Sequence, residues 1–376
     1  MRKLNTLPAV VIVTVAVLAV AAGGVLAAQR SPRSEGGSAA APLAPPATTP
    51  LASPANVSTS APPALPNGKI TLKLSKLGKG RPPQVPYLVG REVRGGAGDP
   101  VKIPGAEPIH YVARMGNSVL AVLGTNKGAD LLRLDPTGES RRTPDVSSLA
   151  VTADATSAAY AAPRIAETGE DLGGGTVYAE QADGTVQKVA VGGFGVEVIA
   201  YRSGTVYFRS AKIQTGKAWE LYSWTPGNPT AALVKTVPSP TALSSDATIA
   251  ASLDVAADTS SCSAVVEVAT GKKLWRTCEN GLEGFTPDGR TVIGGPTYGD
   301  GYGAAATSAL DARTGKLLYE WNGLAFLQTA AEDDQHLLIR ADDGEGTKGA
   351  IIRCDVTTGR CELATPLALT QVSIGQ

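Results

Sequence analysis

The stretch SALDARTGKLLYEW, residues 308–321, has the pattern of a β-hairpin. Apolar residues alternate up to Asp311, a turn ends at Gly315, and a second alternating segment runs to Trp321. Glycine at this place can adopt the positive φ that tight hairpin turns require. Residues 265–275 and 351–363 have the same pattern, so the hairpin predicts a repeated structural unit.

The turn glycines are evenly spaced along the chain. Their spacings are 46, 43, 44, 44 and 44 residues, at Gly138, Gly184, Gly227, Gly271, Gly315 and Gly359. A second turn signal, such as Asp288-Gly289, lies between each pair of these glycines with apolar residues on both sides. Each period therefore holds two hairpins, and four strands in about 44 residues predict one propeller blade.

The two ends of the repeated region are both incomplete. The first unit has three predicted strands, at residues 70–77, 87–93 and 101–103, and lacks an innermost one. The last turn is followed by residues 367–375, a single strand without partners of its own. We therefore predict an all-β, seven-bladed β-propeller of four-stranded antiparallel blades over residues 69–376, in which the C-terminal strand completes the N-terminal blade.

The repeats also resemble known propeller families. SALDARTGKLLYEW resembles the pyrroloquinoline-quinone-type repeat, and SSDATIAAS (244–252) and TPDGRTVIGG (286–295) resemble strands of WD-type or TolB-like propellers. The resemblance implies a propeller but no single activity, because such propellers include enzymes and binding platforms. Quinoproteins of this resemblance use adjacent cysteines and a calcium site, and this chain has no adjacent cysteines, so we predict no cofactor.

The N-terminal region predicts export of the propeller. Residues 9–28 are uncharged and long enough to cross a bilayer as one helix, which leaves residues 1–8 as a short cytoplasmic tail. Residues 29–68 are rich in Pro, Ala, Ser and Thr and predict a disordered linker. The alternative is a signal peptide cleaved near residues 25–27, in which case the protein is secreted. Otherwise it is a single-pass cell-membrane protein whose propeller is extracytoplasmic.

Basic and acidic residues number 34 each and are interspersed, which argues against a nucleic-acid partner. The four cysteines predict disulfides in an exported protein. Cys262 and Cys278 are symmetric about a hairpin turn, and Cys354 and Cys361 flank another, so we favour these two pairs among three possible connectivities.

Neither histidine predicts a metal site or a catalytic base. His110 and His336 lie beside predicted strands without a ligand cluster or a nucleophile in the sequence around them, so we interpret both as ordinary strand or turn residues. The acidic run at residues 342–346 does not follow the EF-hand spacing and predicts a solvated loop.

The connections between second and third strands predict the binding face. They are long at residues 163–175, 210–217, 295–305 and 341–349, whereas the other connections are short. The candidate binding residues on this rim are Arg164, Glu167, Asp171, Lys212, Lys217, Tyr298, Asp300, Tyr302, Asp342 and Glu345. We predict a non-enzymatic binding or scaffold module for a protein or glycan of the cell envelope. The alternative is a metal-dependent hydrolase or lactonase with its site in the central funnel.

Overall fold

A computed structural model describes residues 68–214, 219–257, 260–297, 302–344, 348–368 and 372–375. The predicted tail, membrane helix and linker, up to residue 67, lie outside the described residues. Within those ranges, no helix is both long and apolar enough to span a membrane.

The regular secondary structure of the described residues is strand, apart from one short 3-10 helix. The first half contains β1 (Gly68–Thr71), β2 (Tyr87–Val89), β3 (Glu92–Arg94), β4 (Val101–Lys102), β5 (Ile109–Met115), β6 (Ser118–Gly124), β7 (Ala129–Leu134), β8 (Ser140–Thr143), β9 (Ser148–Val151), β10 (Ser157–Ile165), β11 (Asp171–Gln181), β12 (Val186–Val191), β13 (Phe194–Arg202), β14 (Thr205–Ala211), β15 (Trp219–Trp224) and β16 (Ala232–Pro238). The second half contains β17 (Pro240–Leu243), β18 (Ile249–Ala257), β19 (Ser260–Glu267), β20 (Lys273–Thr277), β21 (Asn280–Phe285), β22 (Thr291–Pro296), β23 (Ala304–Asp311), β24 (Leu317–Ala331), β25 (His336–Asp342), β26 (Gly349–Asp355), β27 (Cys361–Leu363) and β28 (Val372–Ile374).

These strands form antiparallel meanders that follow one another along the chain. Sheet 1 has the order β28-β2-β3-β4, and sheets 2 to 5 comprise β5–β8, β9–β12, β13–β16 and β17–β20. The strands β21 to β27 form one larger sheet, here called the joint sheet. The first strands of the meanders contact one another in the cyclic order β28, β5, β9, β13, β17, β21, β24 and back to β28. A fold in which several sheets are arranged radially, with their inner strands forming a closed ring, is a β-propeller.

The ring is closed by the two ends of the described chain. Strand β28 pairs antiparallel with β2, with Ile374 opposite Tyr87, which is the pairing predicted from the sequence. Gln328 of β24 holds β28 from the other side, since its Nε2 donates to Ile374 O at 2.8 Å and its Oε1 accepts from Ile374 N at 2.9 Å. Gly375 N donates to Pro86 O at 2.7 Å. Strand β28 is therefore hydrogen-bonded along both of its edges.

The predicted strands of the first unit were partly wrong. Strand β1 is not part of sheet 1 but pairs in parallel with β24, with Ile70 opposite Trp321. It is followed by a short 3-10 helix at Leu74–Lys76 rather than by a continuing strand. The predicted strand 87–93 is the hairpin of β2 and β3, because Gly90 has a φ of 60° and turns the chain. Sheet 1 thus takes β2, β3 and β4 from residues 87–102, a shorter segment than the sequence predicted.

Strand β24 belongs to two consecutive meanders. Its first part pairs with β23, with Trp321 opposite Thr307, and its second part pairs with β25, with Thr329 opposite Ile339. Gly323, with a φ of 86°, lies between the two parts. This continuity explains why the joint sheet contains two predicted four-stranded units.

Neighbouring meanders are linked by tryptophan side chains at the turns of the repeat. Trp275 Nε1 in sheet 5 donates to Ala312 O, in the β23–β24 turn, at 2.9 Å. Trp321 Nε1 donates in the same way to Gly359 O, in the next equivalent turn, at 3.0 Å. A Cβ on Gly315 would come within 2.6 Å of the Trp275 ring. The turn glycine therefore permits close packing between sheets as well as the turn itself.

The turns themselves are stabilised by local hydrogen bonds. Asp311 Oδ1 accepts from Thr314 N at 2.8 Å and from Thr314 Oγ1 at 2.7 Å. Asp355 accepts in the same way from Thr357 N at 2.7 Å and from Thr358 N at 3.0 Å. The hydrogen bonds hold the pKa of both aspartates below its usual range, although burial opposes this as the largest single effect. This chemistry is local, which is why the repeat is visible in the sequence.

The structure contains both favoured disulfides, Cys262–Cys278 and Cys354–Cys361. Cys354 and Cys361 lie directly opposite each other on β26 and β27. Cys278 follows β20, one position beyond the Ser263–Thr277 pair of the ladder. Each disulfide thus joins neighbouring strands of one meander.

A buried ion pair attaches the N-terminal segment to the joint sheet. Arg353 donates through Nη2 to Glu332 Oε1 at 2.7 Å and through Nε to the other oxygen of the same carboxylate. Its Nη1 and Nη2 also donate to Arg81 O at 2.8 Å and Pro82 O at 3.0 Å. Glu332 Oε1 accepts from Gln84 N at 2.7 Å. These bonds fix the chain just before it enters β2.

We expect Gly315→Ala to destabilise the protein more than Gly138→Ala. Both glycines have positive φ, 72° and 85°, so both variants lose about 1–2 kcal/mol from backbone strain. Only Gly315 is packed against a ring, and nothing lies within 4 Å of a Cβ at Gly138. The extra overpacking at Gly315 should cost roughly 1–3 kcal/mol more in urea unfolding. Equal losses in the two variants would show that the Trp275 contact is not important.

Arg353→Met should lower the free energy of unfolding by about 3–5 kcal/mol, because the buried carboxylate of Glu332 then keeps only the half-exposed Arg81, at 3.3 Å, as a charged partner. Arg290→Met is the matched control, since the Arg290 side chain is 86% exposed and lies 3.7 Å from Asp288. The control should change stability by less than about 1 kcal/mol. Urea unfolding monitored by tryptophan fluorescence measures both. A neutral Arg353→Met would contradict the assigned role of the ion pair.

Candidate functional site

The described rim residues lie at or beside the connections between second and third strands, and several of them have local partners. Glu167 accepts from Lys127 Nζ at 2.9 Å, and Lys212 Nζ lies 2.7 Å from Glu220 Oε1. Arg164 is exposed on β10. Lys217, Tyr298, Asp300 and Glu345 lie outside the described residues.

The predicted loop at residues 163–175 is an extended hairpin instead. Strands β10 and β11 pair out to Ile165 and Asp171, so only residues 166–170 form the turn. Asp171 has a structural role here, since its Oδ1 accepts from Gly173 N at 2.8 Å and its Oδ2 from Gly195 N at 2.6 Å. The hairpin is thereby attached to β13 of the next sheet.

Tyr302 and Asp342 are brought together by the fold. Tyr302 OH donates to Asp342 Oδ2 at 3.0 Å, which connects the β22–β23 and β25–β26 connections. This hydrogen bond raises the pKa of the Tyr302 hydroxyl. Asp342 is buried and also accepts from Gly344 N at 2.8 Å. The pair therefore organises the rim between these two connections.

A central cavity opens towards this rim. Its larger compartment has a volume of about 720 Å³ and its smaller one about 420 Å³. Pro163, Trp219 and Pro296, which lie at the ends of strands that lead into the rim, belong to the lining. None of the described rim candidates lines either compartment. The face that carries the rim residues thus also carries the opening of the cavity.

Bulges on the inner strands determine which side chains reach the cavity. The ladder between first and second strands skips His110 in β5, Thr241 in β17, Glu283 in β21 and Leu327 in β24. All four of these residues line the cavity. At a bulge, the side chain of the extra residue points to a different face from the one that regular alternation would give it. The inner strands therefore present a ring of side chains that strand periodicity does not reveal.

Glu283 is the most unusual of these residues. It lines both compartments and has no hydrogen-bond or ion-pair partner among the described residues. Its side chain is exposed to the open space of the cavity, but protein surrounds that space, and this raises the pKa of the carboxyl group by desolvation. Gly295 leaves room beside it, since a Cβ there would lie 3.5 Å from Glu283 Oε1.

The other polar groups of the larger compartment are mostly paired. Arg209 Nη2 donates to Glu197 Oε2 at 2.6 Å, and the Arg209 guanidinium lies 4.5 Å from the Trp219 ring centre. Burial, with a smaller effect of the Glu197 charge, raises the pKa of Tyr111 to about 12. Within the described ranges, no group of three or more His, Cys, Asp or Glu residues is placed to hold a metal ion.

Sequence reasoning missed the cavity residues. His110 was interpreted as an ordinary strand residue, yet it lines both compartments together with Tyr111 and Glu283. The available signal was a polar residue within an otherwise apolar first strand, as in GLEGF (281–285) and GVEVIA (195–200). Strand alternation alone does not distinguish such a residue from a solvent-facing one.

No protein-family model matches the chain, and no curated protein is similar to it in sequence. Solved structures are similar in fold. The acylaminoacyl peptidase of Pyrococcus horikoshii aligns at 10% identity with a TM-score of 0.51, over 73% of this chain and 47% of that one. The β-propeller domain of the Trilobed protease from Pyrococcus furiosus aligns at 9% identity and 0.48, over 69% and 85%. A protein assigned as TolB from Agrobacterium tumefaciens aligns at 11% identity and 0.40, over 77% and 90%.

The chain is a β-propeller. Similarity at this level of identity concerns the fold alone, and the WD-type or quinone-type nature of the repeat stays a prediction. The neighbours include peptidases, whose activities belong to those proteins.

Glu283→Gln should stabilise the protein at neutral pH. The folded state raises the pKa of this carboxyl above its ordinary value of 4.5, so wild-type stability is lost as the pH rises through the raised pKa. The glutamine variant has no such loss. Thermal unfolding should therefore show a higher Tm for the variant at neutral pH and equal Tm values below pH 4.5. The control Glu139→Gln, at an exposed turn of sheet 2, should leave the Tm close to that of the wild type.

Proposed function

We propose that this protein is an extracytoplasmic β-propeller of seven blades, held at the cell membrane by residues 9–28, that binds a protein or glycan through its rim. The seven inner strands in cyclic contact support the blade number. The uncharged N-terminal segment supports the tether. The two disulfides fit an oxidising compartment.

Exposed apolar side chains on the rim are the observation that carries this proposal. Leu172 and Ile213 are 51% and 50% exposed, at the β10–β11 hairpin and the β14–β15 connection. Gln214 Nε2 donates to Asp171 O at 3.3 Å, so the two connections lie side by side. Tyr302, also half exposed, lies on the β22–β23 connection. Large apolar side chains gathered on one exposed face are typical of interaction sites.

An enzyme with its site in the central funnel is the second candidate. The observation in its favour is Glu283, an enclosed carboxyl group whose pKa is raised by burial, because such groups serve as general acids or bases in active sites. The sequence places no nucleophile beside His110 or His336, so the binding module is our first choice. The rim experiment below tests that choice.

Photo-crosslinking in intact cells tests the rim. A photoreactive amino acid placed at Leu172 or Ile213 should form crosslinks to a partner, whereas the same residue at Val186 or Leu233 should not. The controls are matched because Val186 and Leu233 are also exposed apolar residues, at 40% and 38%, but lie on the outer strands β12 and β16. Crosslinks of equal yield from both pairs, or from neither, would contradict a partner at the rim.

A further inference from the structure

The larger compartment of the central cavity contains unbalanced negative charge. Lys127 is paired with Glu167 at 2.9 Å, and Arg209 is paired with Glu197 at 2.6 Å. Glu283 lines the same compartment and has no ion-pair partner among the described residues. A carboxylate that is enclosed by protein and unpaired favours the arrival of a cation.

The remaining charged groups do not reverse this balance. Asp145 belongs to the lining and adds a further acid near Lys127, whose pKa is raised first by its hydrogen bond to Glu167. Arg340 lines only the smaller compartment. Burial lowers the pKa of Arg340, and the nearby charge of Asp342 opposes that shift. Burial alone raises the pKa of Glu283, without an effect of the Arg340 charge, so the two groups are too far apart to act as an ion pair.

The walls of the larger compartment are largely apolar. Val122, Val146, Ile165 and Leu282 line the larger compartment. Its volume of about 720 Å³ is in the range of cavities that enclose small organic molecules. Such walls suit an apolar ligand body and exclude a fully hydrated inorganic ion.

Two bulge residues bring polar atoms without partners to this compartment. Glu283 is one, and Thr241 is the other, since its Oγ1 has no hydrogen-bond partner in the described part of the chain. An ammonium group has three donors and no acceptor, so it is complementary to carboxylate and hydroxyl oxygens. A carboxylic acid ligand would instead place a second negative charge beside Glu283.

We propose that the central cavity binds a small organic cation, a primary ammonium group on an apolar body, with Glu283 as its counter-ion. The ammonium group donates to the Glu283 carboxylate, and the apolar body packs against the walls. This inference goes beyond the proposed function, because it requires no partner at the rim. Its test uses small probes and purified protein, so its outcome is independent of the crosslinking experiment.

Calorimetric titration of the purified full-length chain at neutral pH tests the inference with three probes of one stem: n-hexylammonium, 1-hexanol and hexanoate. We expect hexylammonium to bind roughly tenfold more tightly than hexanol, because a charge-assisted hydrogen bond is added to the same apolar contact. Hexanoate should not bind measurably. Glu283→Gln should remove the preference for hexylammonium and leave hexanol binding unchanged, whereas the control Glu139→Gln should bind all probes as the wild type does.

The retained binding of hexanol separates loss of the counter-ion from loss of the fold. The inference is overturned if hexylammonium binds no more tightly than hexanol, if its preference persists in Glu283→Gln, or if hexanoate binds as tightly. Failure of all three probes to bind would overturn it as well.

Discussion

The pairing of β28 with β2 is the contact on which the rest of the structure depends. The inner strands contact one another around a ring, and β28 is the member that lies between β24 and β5. Because β28 comes from the C-terminal end and β2 from the N-terminal region, the ring exists only when the two ends meet. Gln328 and Arg353 hold the two sides of this junction. The cavity depends on it as well, since its lining comes from inner strands all around the ring.

The sequence was most informative where structure is local. The turn aspartates, threonines and glycines interact within a few residues, so their spacing predicted the meanders, and the same symmetry predicted the disulfides. Strand β1 was misassigned because its parallel partner β24 lies about 250 residues away, and no local pattern reports such a pairing. The extended β10–β11 hairpin was read as a loop because its glycines Gly173 and Gly174 interrupt the strand pattern.

The candidate site shows the same difference between features that are local in the sequence and features that are not. Long connections are visible in a sequence with a regular period, so the rim was predicted on the face where the exposed Leu172 and Ile213 lie. Four cavity residues, His110, Thr241, Glu283 and Leu327, were missed because each lies at a bulge, where one extra residue shifts the alternation of faces. His110 and Glu283 thus look like solvent-facing residues in the sequence and lie inside the ring in the structure. Only the ladder register shows the difference.

The surroundings of Glu283 do not favour the ionised form of its carboxyl group. An unpaired carboxylate inside apolar walls costs free energy, and the raised pKa of Glu283 expresses that cost. The ring would close equally well without it, because the Trp275 and Trp321 contacts and the β28–β2 ladder do not involve this side chain. The exposed apolar side chains of the rim and the unpaired carboxylate of the cavity are therefore two chemically different features of one face of the propeller.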